Sequence, residues 1–166
     1  MALLQILQYP HPGLREIAQP VTVFDQQLKV LADNMLETMY QAPGIGLAAT
    51  QVNVAKQLLV IDTSEDKGSP MVIINPQITS TSGEIINEEG CLSFPGIYAN
   101  VRRAEQIHLE YQDLDGNPQQ LDADDLLSIC IQHEIDHLQG KVFVDYLSSL
   151  KRNRIRKQLE KSQRGQ

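Results

Sequence analysis

The stretch DADDLLSICIQHEIDHLQG, residues 122–140, carries the pattern on which the fold of this chain depends. Asp122 is a candidate N-cap with Asp125 three positions on, and Gly140 suits the C-terminal end of a helix. The apolar side chains between them cover most of the helix circumference: Leu126, Leu127, Ile129, Cys130, Ile131, Ile135 and Leu138. Because a helix that is apolar nearly all round is a buried one, this stretch predicts the central helix of the core.

The neighbouring segments predict strands and two further helices. Four segments have the composition and spacing of strands: QLLVID (57–62), MVIINPQI (71–78), QIHLEYQD (106–113) and QQLDA (119–123). The last two are expected to form a hairpin around the turn DGNP. Residues 25–40 have helical spacing, with Asp25 as N-cap, and Ser148 or Ser149 begins a last helix. We expect an α+β fold in which small antiparallel sheets pack around the buried central helix, with a C-terminal helix beside them.

The composition is that of one globular domain. The chain has 166 residues, 42% of them hydrophobic and 21% charged, and no Pro/Gly/Ser-rich linker divides it. We expect residues 1–150 to form the body of the domain and residues 151–166 a basic helix of the same domain. No run approaches the ~20 apolar residues of a membrane span, and the N-terminus lacks a signal-peptide pattern. We therefore expect no membrane association and a cytoplasmic location.

The net charge of −7 conceals an asymmetry. Residues 151–166 contain seven Lys or Arg and the single acid Glu160, a net charge of +6. The preceding 150 residues contain 7 basic and 20 acidic residues, a net charge of −13. Because an acidic body opposes non-specific binding to nucleic acid, we expect no DNA partner. The basic helix either docks on a phosphate-rich surface or is simply solvated, and composition alone favours solvation. Nothing indicates an obligate interface, so we expect a monomer.

Two histidines in the central helix indicate a metal site. His133 and His137 lie one helical turn apart, so both imidazoles project from one face and can bind one ion. Glu134 follows the first histidine, close enough to act on a metal-bound water without ligating the metal itself. A single histidine would be read as a core or surface residue. The pair with its glutamate, on a buried helix, predicts a catalytic metal centre.

Two histidines leave this centre incomplete, because catalytic zinc sites use three protein ligands and one open position. The extended metalloprotease motif would need a third histidine where Phe143 stands. Cys91 in EEGCLSFPG (88–96), which we read as a loop, is the favoured third ligand because a thiolate binds metal strongly. Both cysteines, Cys91 and Cys130, are expected to be reduced. Three other candidates lack supporting context: Glu160, His108 and His11.

The stretch PGIGLAATQV, residues 43–52, indicates a ligand contact of another kind. Its spacing of Gly44, Gly46 and Ala49 matches a dinucleotide-binding fingerprint, but that motif needs a strand before it and a helix after it. Here a helix precedes and Pro43 interrupts, so we exclude a dinucleotide. The glycines instead indicate a backbone that passes close to a ligand, with Gln51 able to donate to an oxygen.

Taken in order, GIGLAATQ (44–51), EGCLS (89–93) and QHEIDH (132–137) resemble the three motifs of peptide deformylases of the bacterial type. The likeness extends over nearly the whole chain. It implies that residues 1–150 form a catalytic deformylase body, a hydrolase that removes the N-formyl group from the N-terminal formylmethionine of newly synthesised polypeptides and releases formate. It also implies that the basic helix docks on the ribosome surface.

The resemblance further implies a role for individual residues. Cys91, His133 and His137 would bind one divalent metal ion, Fe(II) in the cell, with Zn(II), Ni(II) or Co(II) able to occupy the site. Glu134 would be the general acid/base for a metal-bound water, while the Gln51 side chain and the Leu92 backbone N–H stabilise the oxyanion. Gly46 would pair with the substrate backbone. Four side chains would form the pocket for methionine: Ile45, Leu126, Ile129 and Cys130.

The residues alone are also compatible with two other functions. One is a zinc endopeptidase that uses the same two histidines and cleaves unformylated internal peptide bonds. The other is a metal-stabilised module that binds the ribosome through its basic tail and has no catalytic activity. In many peptide deformylases an arginine after the EGCLS segment contacts substrate, and Tyr98 or a neighbour stands in that stretch here. The peptide preference beyond methionine therefore stays open as well.

Overall fold

The computed structural model describes residues 2–164, which form an α+β fold as predicted. The three α-helices in this part of the chain are Gln26–Gln41 (α1), Asp125–Leu138 (α2) and Ser149–Arg164 (α3). The strands are Gly46–Ala48 (β1), Leu58–Ile61 (β2), Met71–Ser82 (β3), Ile85–Cys91 (β4), Phe94–Arg103 (β5), Gln106–Gln112 (β6) and Pro118–Asp124 (β7). Short 3₁₀ turns cover Pro12–Arg15, Ala49–Val52 and Phe143–Tyr146.

The strands form two antiparallel sheets. The larger sheet has five strands in the order β1-β2-β3-β6-β7, and β4 and β5 form a separate two-stranded sheet. Strand β2 of the larger sheet is buried along its whole length, because a helix packs on each of its faces. Leu59 and Ile61 of β2 face Ile131 of α2, whereas Leu58 and Val60 face α1. Helix α2 is therefore the central buried helix, as the sequence predicted.

Several predicted boundaries are confirmed by side-chain contacts. Asp25 caps α1, its carboxylate accepting from the backbone N–H of Leu28 at 3.1 Å. Ser148 begins the last helix, its hydroxyl oxygen accepting from the N–H of Lys151 at 3.3 Å. Gly140 follows the end of α2 with φ +76°, a left-handed conformation that glycine adopts readily. The last two residues of the basic tail, 165 and 166, lie outside the described residues.

The start of α2 differs from the prediction. Asp122 is not the N-cap, because β7 continues through it and pairs it with His108 of β6, so the helix begins directly where the strand ends. Asp124 occupies the N-cap position. The first turn is also not buried: Leu126 is 45% exposed. Strand β3 is longer than predicted because its pairing with β6 continues as far as Ser82.

The segment EEGCLSFPG was wrongly predicted to be a loop. It is the tip of the β4–β5 hairpin, in which Cys91 pairs with Phe94 across a two-residue turn. The inner face of this hairpin carries Glu89 and Arg103, which are 4% and 5% exposed and form a salt bridge to each other. Buried strands are recognised in a sequence by alternating apolar residues. Because charged residues occupy inner positions of β4 and β5, this pattern is broken and the hairpin was not predicted.

Two apolar clusters lie between the large sheet and its helices, one on the α2 side and one on the α1 side. A third apolar cluster joins the hairpin and α3 to the rest of the molecule. Phe94 stacks on Tyr9, with ring centroids 4.6 Å apart, and meets Phe143 edge to face at 5.0 Å. Leu159 of α3 is 2% exposed in the same cluster. Helix α3 therefore packs on the body through one apolar stripe. No helix within residues 2–164 has the length and apolar character needed to cross a membrane.

We predict that Phe143→Ala lowers the free energy of unfolding by about 3–5 kcal/mol, because it leaves a cavity between the hairpin and α2. Urea unfolding followed by circular dichroism, at fixed metal content, measures this change. Leu150→Ala is the matched control: Leu150 is 62% exposed, and its truncation should change stability by less than about 0.5 kcal/mol. Equal effects of the two substitutions would show that the third cluster does not hold the hairpin.

Candidate metal centre and active site

Helix α2 presents both predicted histidines to the interior. His133 is 7% exposed and His137 fully buried, and their ring centroids lie 5.0 Å apart. Burial lowers the pKa of His137 well below its usual value, which favours the neutral imidazole that binds metal. The helical spacing therefore places two ring nitrogens on one side of a buried helix, as the sequence indicated.

The hairpin tip brings Cys91 to these histidines. Its Sγ lies 3.3 Å from Nε2 of His137, and one ligand atom from each of Cys91, His133 and His137 falls within 4.8 Å of the others. One cysteine sulfur and two imidazole nitrogens make up a three-ligand set of the kind that open metal sites use. The donor set therefore fits one transition-metal ion, and it is the group predicted from sequence.

The other candidates for the third ligand lie elsewhere in the fold. His108 contacts Asp122 across the sheet at 2.6 Å, and His11 accepts from the N–H of Gly13 at 2.9 Å. Glu160 pairs with Arg156 one turn earlier on α3. Each has a local partner away from the two helix histidines. The structure thus brings Cys91, and none of these three residues, to the centre.

A buried ion-pair network, which the sequence did not reveal, surrounds His133. Glu89 accepts from Nδ1 of His133 at 2.8 Å and from the Arg103 guanidinium at 2.7 and 2.8 Å. Arg103 also donates to Asp136 at 2.6 Å, and the Tyr146 hydroxyl donates to the same carboxylate at 2.7 Å. With Nδ1 engaged by Glu89, Nε2 is the nitrogen of this ring available to a metal.

The charges in this network stabilise one another. Burial alone would raise the pKa of Glu89, but the hydrogen bonds from Arg103 and His133 outweigh it, so the pKa lies below its usual value. Glu89 therefore stays ionised in the interior. Such a pairing has no local sequence signal, because Glu89 and Arg103 belong to different strands and Asp136 to a helix.

Glu134 lies beside the two histidines with one oxygen unpaired. It is 5% exposed, and its Oε1 has no hydrogen-bond partner among the described residues. Burial raises the pKa of Glu134 to about 7, so that both the acid and the carboxylate are accessible near neutral pH. A Cβ at Gly46 would lie only 2.6 Å from Oε2 of Glu134, so any larger residue in this strand position would displace the carboxylate. Gly46 also lines the cavity described below, and the predicted approach of this backbone to a ligand stays a prediction.

Gln51 reaches the centre from the 3₁₀ turn after β1. It is 1% exposed, and its Nε2 donates to Sγ of Cys91 at 3.5 Å. Leu92 is the residue after Cys91 in the hairpin turn, and its side chain packs against Gly44. Gln51 and Leu92 thus belong to two different turns, and both line the cavity beside Cys91.

A cavity of about 830 Å³ opens onto this centre. The predicted pocket residues all line it: Ile45, Gly46, Leu126, Ile129 and Cys130. Burial, followed by repulsion from Glu134, raises the pKa of the Cys130 thiol to about 12, which makes Cys130 a neutral wall residue. Sequence reasoning missed other walls, among them Ile6, Gln8 and Asn87, because they come from the N-terminal segment and the outer hairpin. Tyr98 stands at the rim, 66% exposed.

Comparison with known proteins places this geometry in a family. The family described as polypeptide deformylase matches residues 3–153. A peptide deformylase of Nitrosococcus oceani is 60% identical over 99% of this chain and 98% of its own length, and one of Pseudomonas aeruginosa is 56% identical over 100% and 99%.

Solved structures agree with this match. The crystal structure of a peptide deformylase from Legionella pneumophila has a TM-score of 0.94 and 48% identity, covering 98% of this chain and 96% of its own. A peptide deformylase from Ehrlichia chaffeensis, solved in complex with actinonin, has a TM-score of 0.95 and 38% identity, covering 99% of both chains. The residues that converge on the cavity floor come from the three segments in which the sequence resembled this family. The chain belongs to the peptide deformylase family of hydrolases.

Proposed function

We propose that this enzyme hydrolyses the N-formyl group of N-terminal formylmethionine on newly synthesised polypeptides and releases formate. The observation that carries the proposal is the convergence of Cys91, His133 and His137 beside Glu134 on the floor of an apolar-walled cavity. Membership of the peptide deformylase family supports the same reaction. Release of formate from formyl-Met peptides, in step with the appearance of the free N-terminal amine, tests it; no release by the metal-loaded enzyme would overturn it.

Cys91, His133 and His137 would together hold one divalent metal ion. When bound there, the ion would act as a Lewis acid that lowers the pKa of a water molecule towards ~7 and polarises the formyl oxygen. One thiolate with two imidazoles suits Fe(II) as well as Zn(II), Ni(II) or Co(II), and we propose Fe(II) in the cell. Glu89 would keep the ring of His133 in the required orientation through its 2.8 Å hydrogen bond.

Glu134 is suited to the proton transfers. Its unpaired Oε1 can accept a proton from the attacking water, and the same carboxyl can then donate that proton to the leaving amine. A pKa near 7 supports both steps at neutral pH. Because Gly46 has no side chain, it leaves room for the other carboxylate oxygen, which a Cβ at this position would meet at 2.6 Å.

Gln51 and Leu92 are placed to stabilise negative charge on the formyl oxygen. The Gln51 amide already directs an N–H at Sγ of Cys91, 3.5 Å away, so an oxygen bound beside that sulfur lies within its reach. The backbone N–H of Leu92 would supply a second donor. Donors fixed in advance at a buried site stabilise a developing oxyanion without reorganisation.

The cavity suits a methionyl peptide in two respects. Ile45, Leu126, Ile129 and Cys130 give apolar walls for a thioether side chain, and the neutral Cys130 thiol fits this role. Gly46 lies in β1, an edge strand of the five-stranded sheet, so an extended peptide can pair with its outer side. We propose that the nascent chain enters as an added strand with its methionine side chain in the pocket.

The endopeptidase alternative receives less support. Its extended motif needs a ligand at position 143, and Phe143 is instead buried against Phe94 and the ring of His133. A cavity walled for one apolar side chain also favours an N-terminal residue. Cleavage of an internal bond in an unformylated peptide, at a rate comparable with formate release, would restore this alternative.

We predict that Cys91→Ser weakens metal binding by more than about 100-fold, because even residues that only orient a ligand contribute 10- to 100-fold. Metal analysis of anaerobically purified protein, with titration of Zn(II) into the apoprotein, measures the effect. Cys130→Ala is the matched control, since it removes the other thiol from the same cavity and should leave the metal content unchanged. Equal metal affinity in Cys91→Ser and the parent would exclude Cys91 as a ligand.

We predict that Glu134→Gln keeps the metal but lowers kcat for formate release by about 10²- to 10⁴-fold, since the amide cannot accept the water proton. Steady-state assays on a formyl-Met tripeptide, paired with metal analysis, measure this. Glu110→Gln changes an exposed acid on β6 and should behave as the parent. A fully active Glu134→Gln enzyme would disprove the acid/base role.

We also propose that the outer face of α3 docks on the ribosome, where formylated chains emerge, and that the enzyme is therefore cytoplasmic. Leu159 is the one described residue of α3 that is fully buried, and the Lys and Arg side chains of this helix are exposed. Because Leu159 and Ile155 pack on the third cluster, we infer that the tail belongs to the same domain as residues 1–150. Deleting residues 151–166 would expose this core, so charge reversal is the sharper test.

We predict that the triple variant Arg154→Glu, Lys157→Glu and Lys161→Glu weakens co-sedimentation with ribosomes by at least about tenfold, because phosphate contacts depend on charge. Formate release from a short peptide should be unchanged, since none of these side chains lines the cavity. The triple variant Arg154→Lys, Lys157→Arg and Lys161→Arg changes the same three positions and is the control that preserves charge. If the Glu variant binds ribosomes as well as the parent does, the docking role of α3 is disproved and the helix is simply solvated.

A further inference from the structure

Ser93 is a buried hydroxyl that the mechanism above does not use. It lies in the two-residue turn between β4 and β5 and has no exposed surface. Its backbone is held on both sides: its N–H donates to Sγ of Cys91 at 3.5 Å, and its carbonyl accepts from the N–H of Tyr9 at 2.9 Å. The position of the Ser93 hydroxyl is therefore set by the hairpin turn and the N-terminal segment together.

This hydroxyl accepts a hydrogen bond from the Gln51 amide at 3.1 Å. The other end of that amide, Oε1, accepts from the backbone N–H of Ala48 at 3.0 Å, which fixes the direction in which the NH₂ group points. The backbone of Gln51 is held too, because its carbonyl accepts from the N–H of Leu7 at 2.7 Å. Both ends of the amide thus have fixed partners.

The two hydrogens of the NH₂ group are directed at different acceptors. One is donated to Ser93, and the other is directed at Sγ of Cys91, 3.5 Å from the nitrogen. An amide held only through Oε1 could rotate about that single hydrogen bond. Held at both ends, it presents its second hydrogen towards the metal ligands in one orientation.

We propose that Ser93 is a positioning residue, which orients the Gln51 amide so that one N–H is aimed at the oxyanion. This inference rests on the proposed role of Gln51 as the oxyanion donor. It predicts that Ser93 acts on the chemical step through Gln51, and that substrate affinity and metal binding do not depend on it.

A double-mutant cycle tests the inference. Gln51→Ala should lower kcat by about 10²-fold or more, the usual effect of losing one oxyanion donor, and Ser93→Ala by about tenfold, with KM within about twofold of the parent. In the Gln51→Ala background, Ser93→Ala should have no further effect, because the amide that it orients is absent. Metal content and the thermal midpoint are measured for each variant, and both should stay close to the parent values.

Helix α2 offers a matched control. Ser128 is also fully buried, and its hydroxyl also accepts from a glutamine amide, Nε2 of Gln132, at 3.0 Å. Neither residue lines the cavity. Ser128→Ala therefore removes the same kind of hydrogen bond and should leave kcat unchanged, which separates the orientation of Gln51 from a general effect on the fold.

The outcomes separate the two proposals. Unchanged kcat in Gln51→Ala would overturn the donor role of Gln51 and this inference with it. A low kcat in Gln51→Ala together with unchanged kcat in Ser93→Ala, or with additive effects in the double variant, would overturn the inference alone. In the zinc-loaded parent, NMR should show one Gln51 side-chain amide proton protected from exchange. Rapid exchange of both protons would also overturn it, whatever the stability of the variants.

Discussion

The arrangement of the active site depends on Arg103. This buried guanidinium joins Glu89 on the β4–β5 hairpin to Asp136 on α2, at distances of 2.6–2.8 Å. Removing one member of a buried ion pair leaves an uncompensated charge, which costs about 3–5 kcal/mol. The hairpin and the helix are therefore coupled in register, and this coupling places Cys91 of the hairpin next to His137 of the helix. The Tyr146 hydroxyl completes the network by donating to Asp136.

Three separate elements meet at the cavity floor, and each is anchored in its own apolar cluster. Helix α2 packs under the five-stranded sheet, the segment around β1 packs on α1, and the hairpin packs on Phe143 and α3. The polar groups of the site lie where these clusters meet, and hydrogen bonds between Gln51, Ser93 and Cys91 cross the boundary. Because none of the three elements can move without disturbing its cluster, the side chains that we propose as donors and ligands are held in place in advance.

How much of this could be predicted depends on how local each signal is. The α2 histidines were predictable because helical spacing alone puts His133 and His137 on one face. Cys91 was only favoured as the third ligand, because its approach to His137 depends on a hairpin that apolar alternation does not reveal. Glu89 and Ser93 had no signal of their own, since their partners lie on other strands and helices. Asp122 was misplaced as an N-cap because cap composition does not distinguish a loop from a strand that runs directly into a helix.

The two cysteines show how the surroundings decide what one residue type does. Cys91 lies at the hairpin tip, with the N–H groups of Ser93 and Gln51 directed at its sulfur and an imidazole nitrogen 3.3 Å away. These contacts suit a thiolate that binds metal. Cys130 lies on the first turns of the same helix as the histidines, but its sulfur receives no hydrogen bond from residues 2–164, and burial raises its pKa to about 12. It stays a neutral thiol and behaves as a small apolar side chain. Within one cavity, the distribution of N–H donors therefore separates the polar floor, where we propose that charge develops, from the apolar wall that we propose as the methionine pocket.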